Sequence, residues 1–373
     1  MKDDIVDLRS DTLSRPTPAM LQAMAQAETG DDCFGEDKTV HALEEHVAGL
    51  FGKEAALLMP TGTMSNQVAL RVLVDRGNEV ICDASHHINF FEAAQTADFS
   101  GVSLNPVQTQ DGVLDVATIQ SSIETRARWS HSYAVPKLVW HENTVNGRGG
   151  RVVPLATLQQ VRDWTAQQGL ATYMDGARVW NASVASGVSL AQYGQTATAL
   201  SVCFAKGLGA PMGSALVGSR DVITQARRWR KWYGGGLHQS GVVAAAALYA
   251  LRHHLPLLAD DHENARHFAL GLMDTGCVDV VVPETNIALF DISRLGIEPG
   301  RFVSMADWLG VKLLAWRGQV IRAVFCLNTT RKQTLNATTR IASLIERIAA
   351  RGGVAGAAAA EGAAANWAGV STP

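Results

Sequence analysis

A carboxylate and a lysine stand at the ends of two successive apolar runs. Asp175 closes "LATYMD" (170–175), and Lys206 follows "ALSVCFA" (199–205). The glycine-rich turn "KGLGAPMG" carries the lysine, so the amine sits where an apolar strand meets a flexible loop, a setting for a Schiff-base nucleophile. Taken singly, Asp175 reads equally well as a cap of the next helix with Arg178 nearby, and Lys206 as an ordinary strand end. Together they match what pyridoxal phosphate requires. The lysine takes the coenzyme's aldehyde, and the acid keeps the pyridine nitrogen protonated so that the ring can accept a carbanion's electrons. The stretch "PTGTMSNQ" (60–67) adds small residues and hydroxyls at the start of a helix. Backbone N–H groups and the helix dipole hold a phosphate at such a place.

Those residues need a scaffold that gathers strand ends. The runs "AALLMP" (55–60), "EVICDA" (79–84), "KLVWHE" (137–142), 170–175, 199–205 and "SALVGS" (214–219) read as buried strands. Amphipathic stretches lie between them. Over 39–51, Val40, Leu43, Val47, Leu50 and Phe51 share one helical face, and 155–169 behaves likewise before Gly169. This alternation predicts an α/β fold with a mainly parallel sheet covered on both faces. Ligands of such sheets bind outside the carboxyl ends of the strands. Thr61-Gly62-Thr63, His86-His87, Glu142-Asn143, Asp175 with Arg178, and Lys206 are therefore expected to converge. The rhythm changes near residue 256. An N-terminal segment and large domain are expected over 1–256 and a smaller α+β domain over 257–350, followed by a low-complexity Ala/Gly tail over 351–373.

Bulk properties exclude several functions. A formal charge of −3 over 373 residues offers nucleic acid and anionic membranes no attraction, so "RRWRKW" (227–232) reads as a solvated helix face. Five scattered cysteines without a CxxC pair suit reduced thiols in the cytoplasm. There is no HExxH, the His86-His87 and His253-His254 doublets are not ligand spacing, and no metal is expected. "GLGAPMG" departs from the dinucleotide fingerprint, lies late in the chain and lacks its acidic partner, which argues against a nicotinamide enzyme.

Long blocks carry a family likeness: "DLRSDTLSRPTPAM", "GDDCFGEDKTVHALEEHVAGLFGKEAALLMPTGTMSNQVAL", "HENTVNGRGG", "DGARVWNA", "AKGLGAPMGSALVGS" and "ARRWRKWYGGGLHQSG". In these the chain resembles the low-specificity L-threonine aldolases, fold-type I pyridoxal-phosphate enzymes. The resemblance implies a large domain with a mostly parallel seven-stranded sheet. It makes Lys206 the Schiff-base lysine, Asp175 the partner of the pyridine nitrogen and His87 the imidazole stacked on the ring. It gives Gly62 and Thr63 the phosphate, and Ser10, Arg178 and Arg322 the substrate carboxylate. Lys231 would reach a neighbouring subunit's cofactor, with His238 nearby, in a homo-oligomer (a dimer, or the tetramer expected here). The implied reaction is retro-aldol cleavage of an L-β-hydroxy-α-amino acid of the L-threonine or L-allo-threonine type to glycine and an aldehyde. His87 is the first candidate to take the hydroxyl proton, directly or through a water.

Five positions depart from the family pattern. Val145 stands for a histidine beside the substrate's β-substituent, Ala94 and Gln95 for two glycines, Ala205 for a serine and His238 for an arginine. They point to a bulkier or more specialised substrate. They also leave open another reaction on the same scaffold: transaldol transfer, β-elimination or racemisation.

Overall fold

The computed structural model describes residues 5–125 and 131–351. Met1–Asp4 and, from residue 352, the expected Ala/Gly tail lie outside the described residues. The chain divides into two compact units, Arg15–Pro256 and Met1–Ser14 with Leu257–Pro373. The sequence reading attached Met1–Ser14 to the large unit; the structure groups them with the C-terminal one. The reason is backbone pairing: β1 (Val6–Asp7) lies parallel to the strand Val311–Lys312, and the Val324 N–H donates to the Leu8 carbonyl.

The large unit is built on β2 (Ala55–Met59), β3 (Glu79–Asp83), β4 (Ser103–Val107), β5 (Pro136–Glu142), β6 (Ala171–Gly176), β7 (Ala199–Cys203) and β8 (Ser214–Gly218). They form one sheet in the order β2-β8-β7-β6-β5-β3-β4. β8 runs antiparallel to both neighbours, and the other pairings are parallel. Sequence patterning missed β4, whose "SLNPV" is neither alternating nor apolar. It lies at the sheet edge, where a proline is tolerated because one side of the strand needs no ladder donor.

Helices on both faces explain why the other strands are nearly continuous apolar runs. Alternate residues enter different cores. Val80, Leu138, Trp140 and Tyr173 pack on one face with Val68 and Leu70 of the helix Gly62–Leu73, whereas Ile81 and Val139 pack on the other with Ile119 and Val161. Trp140 and Tyr173 are register partners with ring centroids 4.3 Å apart. Among the described residues no single helix is long and apolar enough to cross a membrane.

In the C-terminal unit, β9 (Asp279–Val281), β10 (Ile287–Asp291), β11 (Val311–Lys312), β12 (Leu314–Ala315) and β13 (Val320–Val324) follow. Four of these make an antiparallel sheet in the order β12-β13-β10-β9. Phe268 and Ile341, from the helices Leu258–Met273 and Arg331–Arg351, pack with Phe290, Phe302 and Ile321 in its core.

One glycine fixes strand spacing beside Asp175. A Cβ added to Gly176 would lie 2.5 Å from the Ser201 carbonyl oxygen on β7. Gly49, in the helix Lys38–Leu50, has open space at the same position. Gly176→Ala should therefore cost about 1–3 kcal/mol through overpacking. Gly49→Ala should stabilise by up to about 1 kcal/mol, because alanine is the better helix former. Urea unfolding of the two variants measures both; equal midpoints would refute the packing argument.

Candidate active site

The carboxyl ends of β5, β6 and β7 hold the candidate chemistry. Register aligns Glu142, Asp175 and Ser201 across these three strands. Lys206 is half-buried in the turn between β7 and β8, at the same edge. Its carbonyl accepts from the Gly209 N–H at 2.8 Å, and the Phe204 N–H donates to Gly213, so the turn is closed on itself.

Asp175 is buried, and its carboxylate is held from two sides. The Asn66 side-chain amide donates to Oδ2 at 2.9 Å, and the Ala177 N–H donates to Oδ1 at 3.1 Å. Asn66 projects from the helix Gly62–Leu73 and uses its whole amide. It also donates to Glu92 at 3.0 Å and accepts from the Tyr173 hydroxyl at 3.0 Å and Ser201 at 3.1 Å. Glu92 in turn accepts from Gln67 at 2.9 Å and lies 2.8 Å from His87 Nδ1. The His87 backbone N–H donates to buried Glu142, which also takes the Asn146 N–H at 2.7 Å. Arg178, buried, donates to the Asn146 side-chain oxygen at 3.1 Å.

The network gathers three buried acids around one imidazole. Burial alone would depress the His87 pKa; the Glu92 hydrogen bond and the charges of Asp175, Glu92 and Glu142 overcome it, and the pKa is raised. Burial likewise pushes the Glu142 pKa up, with Asp175 adding to the effect against the neighbouring histidines. Beside them His141 is wholly enclosed, and burial with the repulsion of His86 lowers its pKa to about 3. A cluster of acids so placed favours a positive charge beside it. The donor atoms of His87, Glu92 and Asp175 also lie within 4.8 Å of one another, close enough for a metal ion, although they are already joined through Asn66 and the His87–Glu92 bond.

The helix Gly62–Leu73 begins beside these strand ends with N–H groups that could receive an anion. Thr61 caps it by accepting from the Met64 N–H, and the Ser65 N–H returns to the Thr61 carbonyl. Among the described residues the N–H groups of Gly62 and Thr63 have no backbone acceptor, and a Cβ at Gly62 would meet nothing within 4 Å. Val145 is fully buried, and a Cβ added to Gly112 would run into its Cγ1. Ala94 is exposed on the short helix Ala93–Gln95, with Gln95 half-buried.

Ser10 and Arg322 belong to the C-terminal unit. There Ser10 accepts from the Thr12 N–H at 3.2 Å, and Arg322 lies on β13 with its guanidinium 4.6 Å from the Trp316 ring centre. Lys231 and His238 form a separate group with Asp31 and Cys33, and none of its hydrogen bonds among the described residues reaches His87, Glu92 or Asp175. Asn66, Glu92, Tyr173 and Ser201 were not singled out from the sequence. Their signal was polar residues inside apolar runs: Asn66-Gln67 on a buried helix face and Ser201 within "ALSVC".

Similarity to known proteins shows the family. The beta-eliminating lyase family matches residues 7–294. The low specificity L-threonine aldolase of Escherichia coli K12 is 39% identical over 331 residues, covering 88% of this chain and 96% of that one. The chain belongs to the low-specificity L-threonine aldolase family. Low-specificity L-threonine aldolase 1 of Arabidopsis thaliana is 42% identical over 300 residues, 79% of this chain and 84% of its own length. The solved Leishmania major threonine aldolase superposes with a TM-score of 0.77 at 20% identity, covering 91% of this chain and 99% of that one. That likeness shows the fold, the fold-type I architecture with its seven-stranded sheet. In this threonine aldolase family member the His87–Glu92 pair can be tested directly. Glu92→Gln should lower the His87 pKa, read from the imidazole resonances in an NMR titration; an unchanged value would exclude Glu92 as the cause. The sign for stability follows. The His87 contribution is complete below the unfolded value of about 6.5 and disappears as pH rises through the raised folded pKa.

Proposed function

We propose that the protein binds pyridoxal 5′-phosphate at the ends of β5–β7 and cleaves the Cα–Cβ bond of an L-threonine- or L-allo-threonine-type amino acid, giving glycine and an aldehyde. The observation that carries this reading is the buried Asp175 carboxylate, fixed by Asn66 on the strand next to the one that leads to Lys206. The residues fit the coenzyme. Asp175 offers an anionic oxygen to a protonated pyridine nitrogen, Gly62 and Thr63 offer N–H groups to a phosphate, and Lys206 offers the amine that joins the aldehyde. When bound, the coenzyme supplies the electron sink for the pair released as the Cα–Cβ bond breaks.

The chain's own side chains would do the rest. The Arg178 guanidinium, buried and steadied by Asn146, is suited to hold the substrate carboxylate and so to orient the bond that breaks. His87 has Nδ1 committed to Glu92, which leaves Nε2 to accept the β-hydroxyl proton or to place a water that does. Val145 offers no hydrogen-bonding group, so the proton has no acceptor at that position. Since Nε2 must be unprotonated to act, activity should rise with pH through the raised His87 pKa. Ala94, Gln95 and Val145 together favour a bulkier or more apolar β-substituent than a methyl group.

We place the protein in the cytoplasm as a homo-oligomer in which Lys231 and His238 serve a neighbouring subunit's site. A panel of β-hydroxy amino acids, with products identified by mass, tests the reaction. Glycine and the matching aldehyde are expected; pyruvate with ammonia would turn the reading to β-elimination. Lys206→Ala should reduce turnover more than about a thousandfold. Retained turnover would remove the proposed chemistry.

A further inference from the structure

The turn that carries Lys206 is held from outside by a histidine. Residues 204–213, "FAKGLGAPMG", have glycines on both sides of Leu208, and Gly209 stands at φ +77°. Backbone this permissive loses much conformational freedom when it is ordered. Two bonds close the turn on itself: the Gly209 N–H donates to the Lys206 carbonyl at 2.8 Å and the Ala210 N–H to the Phe204 carbonyl at 3.1 Å. A further bond comes from another element. His254 Nδ1 lies 2.8 Å from the Leu208 carbonyl oxygen, 46 residues away in the chain. Among the described residues no backbone N–H serves that carbonyl. A carbonyl only accepts, so the hydrogen stands on Nδ1.

His254 ends a firmly seated helix. It follows Gly241–His253, whose first N–H donates to buried Asp37 at 2.8 Å and whose residues from Ala244 to Leu248 are buried. The His254 N–H donates to the Ala250 carbonyl at 2.8 Å, and its ring meets Tyr249 edge-on with centroids 5.3 Å apart. His254 is 4% exposed and Leu208 1%, so water does not compete for their bond. The neighbouring His253 is exposed and lies against Tyr249 at 4.4 Å. Only the second histidine of the doublet serves the turn.

We propose that His254 is a positioning residue for Lys206: its Nδ1–H pins the Leu208 carbonyl and so fixes where the lysine Cα stands. It touches no reacting atom. The ladder pair Cys203–Ser214 clamps the two ends of the turn, and the His254 bond fixes its middle. Removing the donor would leave a buried carbonyl unpaired, a cost relieved only if the turn shifts toward water. The amine would then spend less time where an aldehyde can meet it, and a displaced anchor costs rate out of proportion to the distance. The inference rests on the reading of Lys206 as the coenzyme's lysine.

Hydrogen exchange of the full chain without coenzyme, followed by mass spectrometry, tests the pin directly. In His254→Leu the peptide over 204–213 should exchange about tenfold faster, while peptides from β5 and β6 keep wild-type rates. His254→Asn, which returns a side-chain N–H to the same place, should restore protection. Titration with pyridoxal phosphate, read by visible absorbance, should show affinity about tenfold weaker in His254→Leu and close to wild type in His254→Asn. In the unmutated protein, imidazole nitrogen shifts should place the His254 hydrogen on Nδ1. Unchanged exchange over 204–213, faster exchange throughout the chain, or a hydrogen on Nε2 overturns the proposal. So does a loosened turn with unaltered coenzyme affinity. Wild-type protein that takes up no coenzyme removes the reading of Lys206 and not the pin, which exchange and the nitrogen shifts decide.

Discussion

The candidate active site depends on a single side-chain amide. Asn66 gives one N–H to Asp175 and another to Glu92, and its oxygen receives Tyr173 and Ser201. An amide has two donors and an acceptor with two lone pairs, and here every one is used. Reversing it would turn an oxygen toward two carboxylates and two hydrogens toward hydroxyls. Its orientation is therefore set by its partners on β6, β7 and the Glu92 segment. Through it the acid at a strand end and the acid that grips His87 are held at fixed separation.

That constraint shapes the electrostatics. Asp175, Glu92 and Glu142 are all buried, and each carries hydrogen bonds from N–H groups that compensate for lost hydration. Their charges favour a positive group beside them. The raised His87 pKa is one response to that field; a protonated pyridine nitrogen beside Asp175 would be another.

Much of this was legible in the residues. The apolar runs marked β2, β3, β5, β6, β7 and β8 because both faces of the sheet are covered, and strand-end chemistry then singled out Asp175, Arg178, His87 and Lys206 as candidates. β4 escaped because an edge strand needs neither alternation nor continuous apolarity. β1 escaped because two paired residues leave no periodicity, so Met1–Ser14 were attached to the wrong unit. Asn66 and Glu92 became visible only in three dimensions: each is a polar residue whose burial is justified by partners distant in the chain. Asp31 and His238 also escaped sequence reading as neighbours, because their two loops meet through the Asp32 N–H.

The reversal of direction at β8 has a mechanical consequence for Lys206. A parallel crossover would leave the lysine on a long connection, but Cys203 and Ser214 are ladder partners, so the intervening turn is clamped at both ends. The amine can swing on its own methylene arm while its Cα stays put. Anchor and reach are thereby separated: the sheet supplies the first, and four rotatable bonds supply the second.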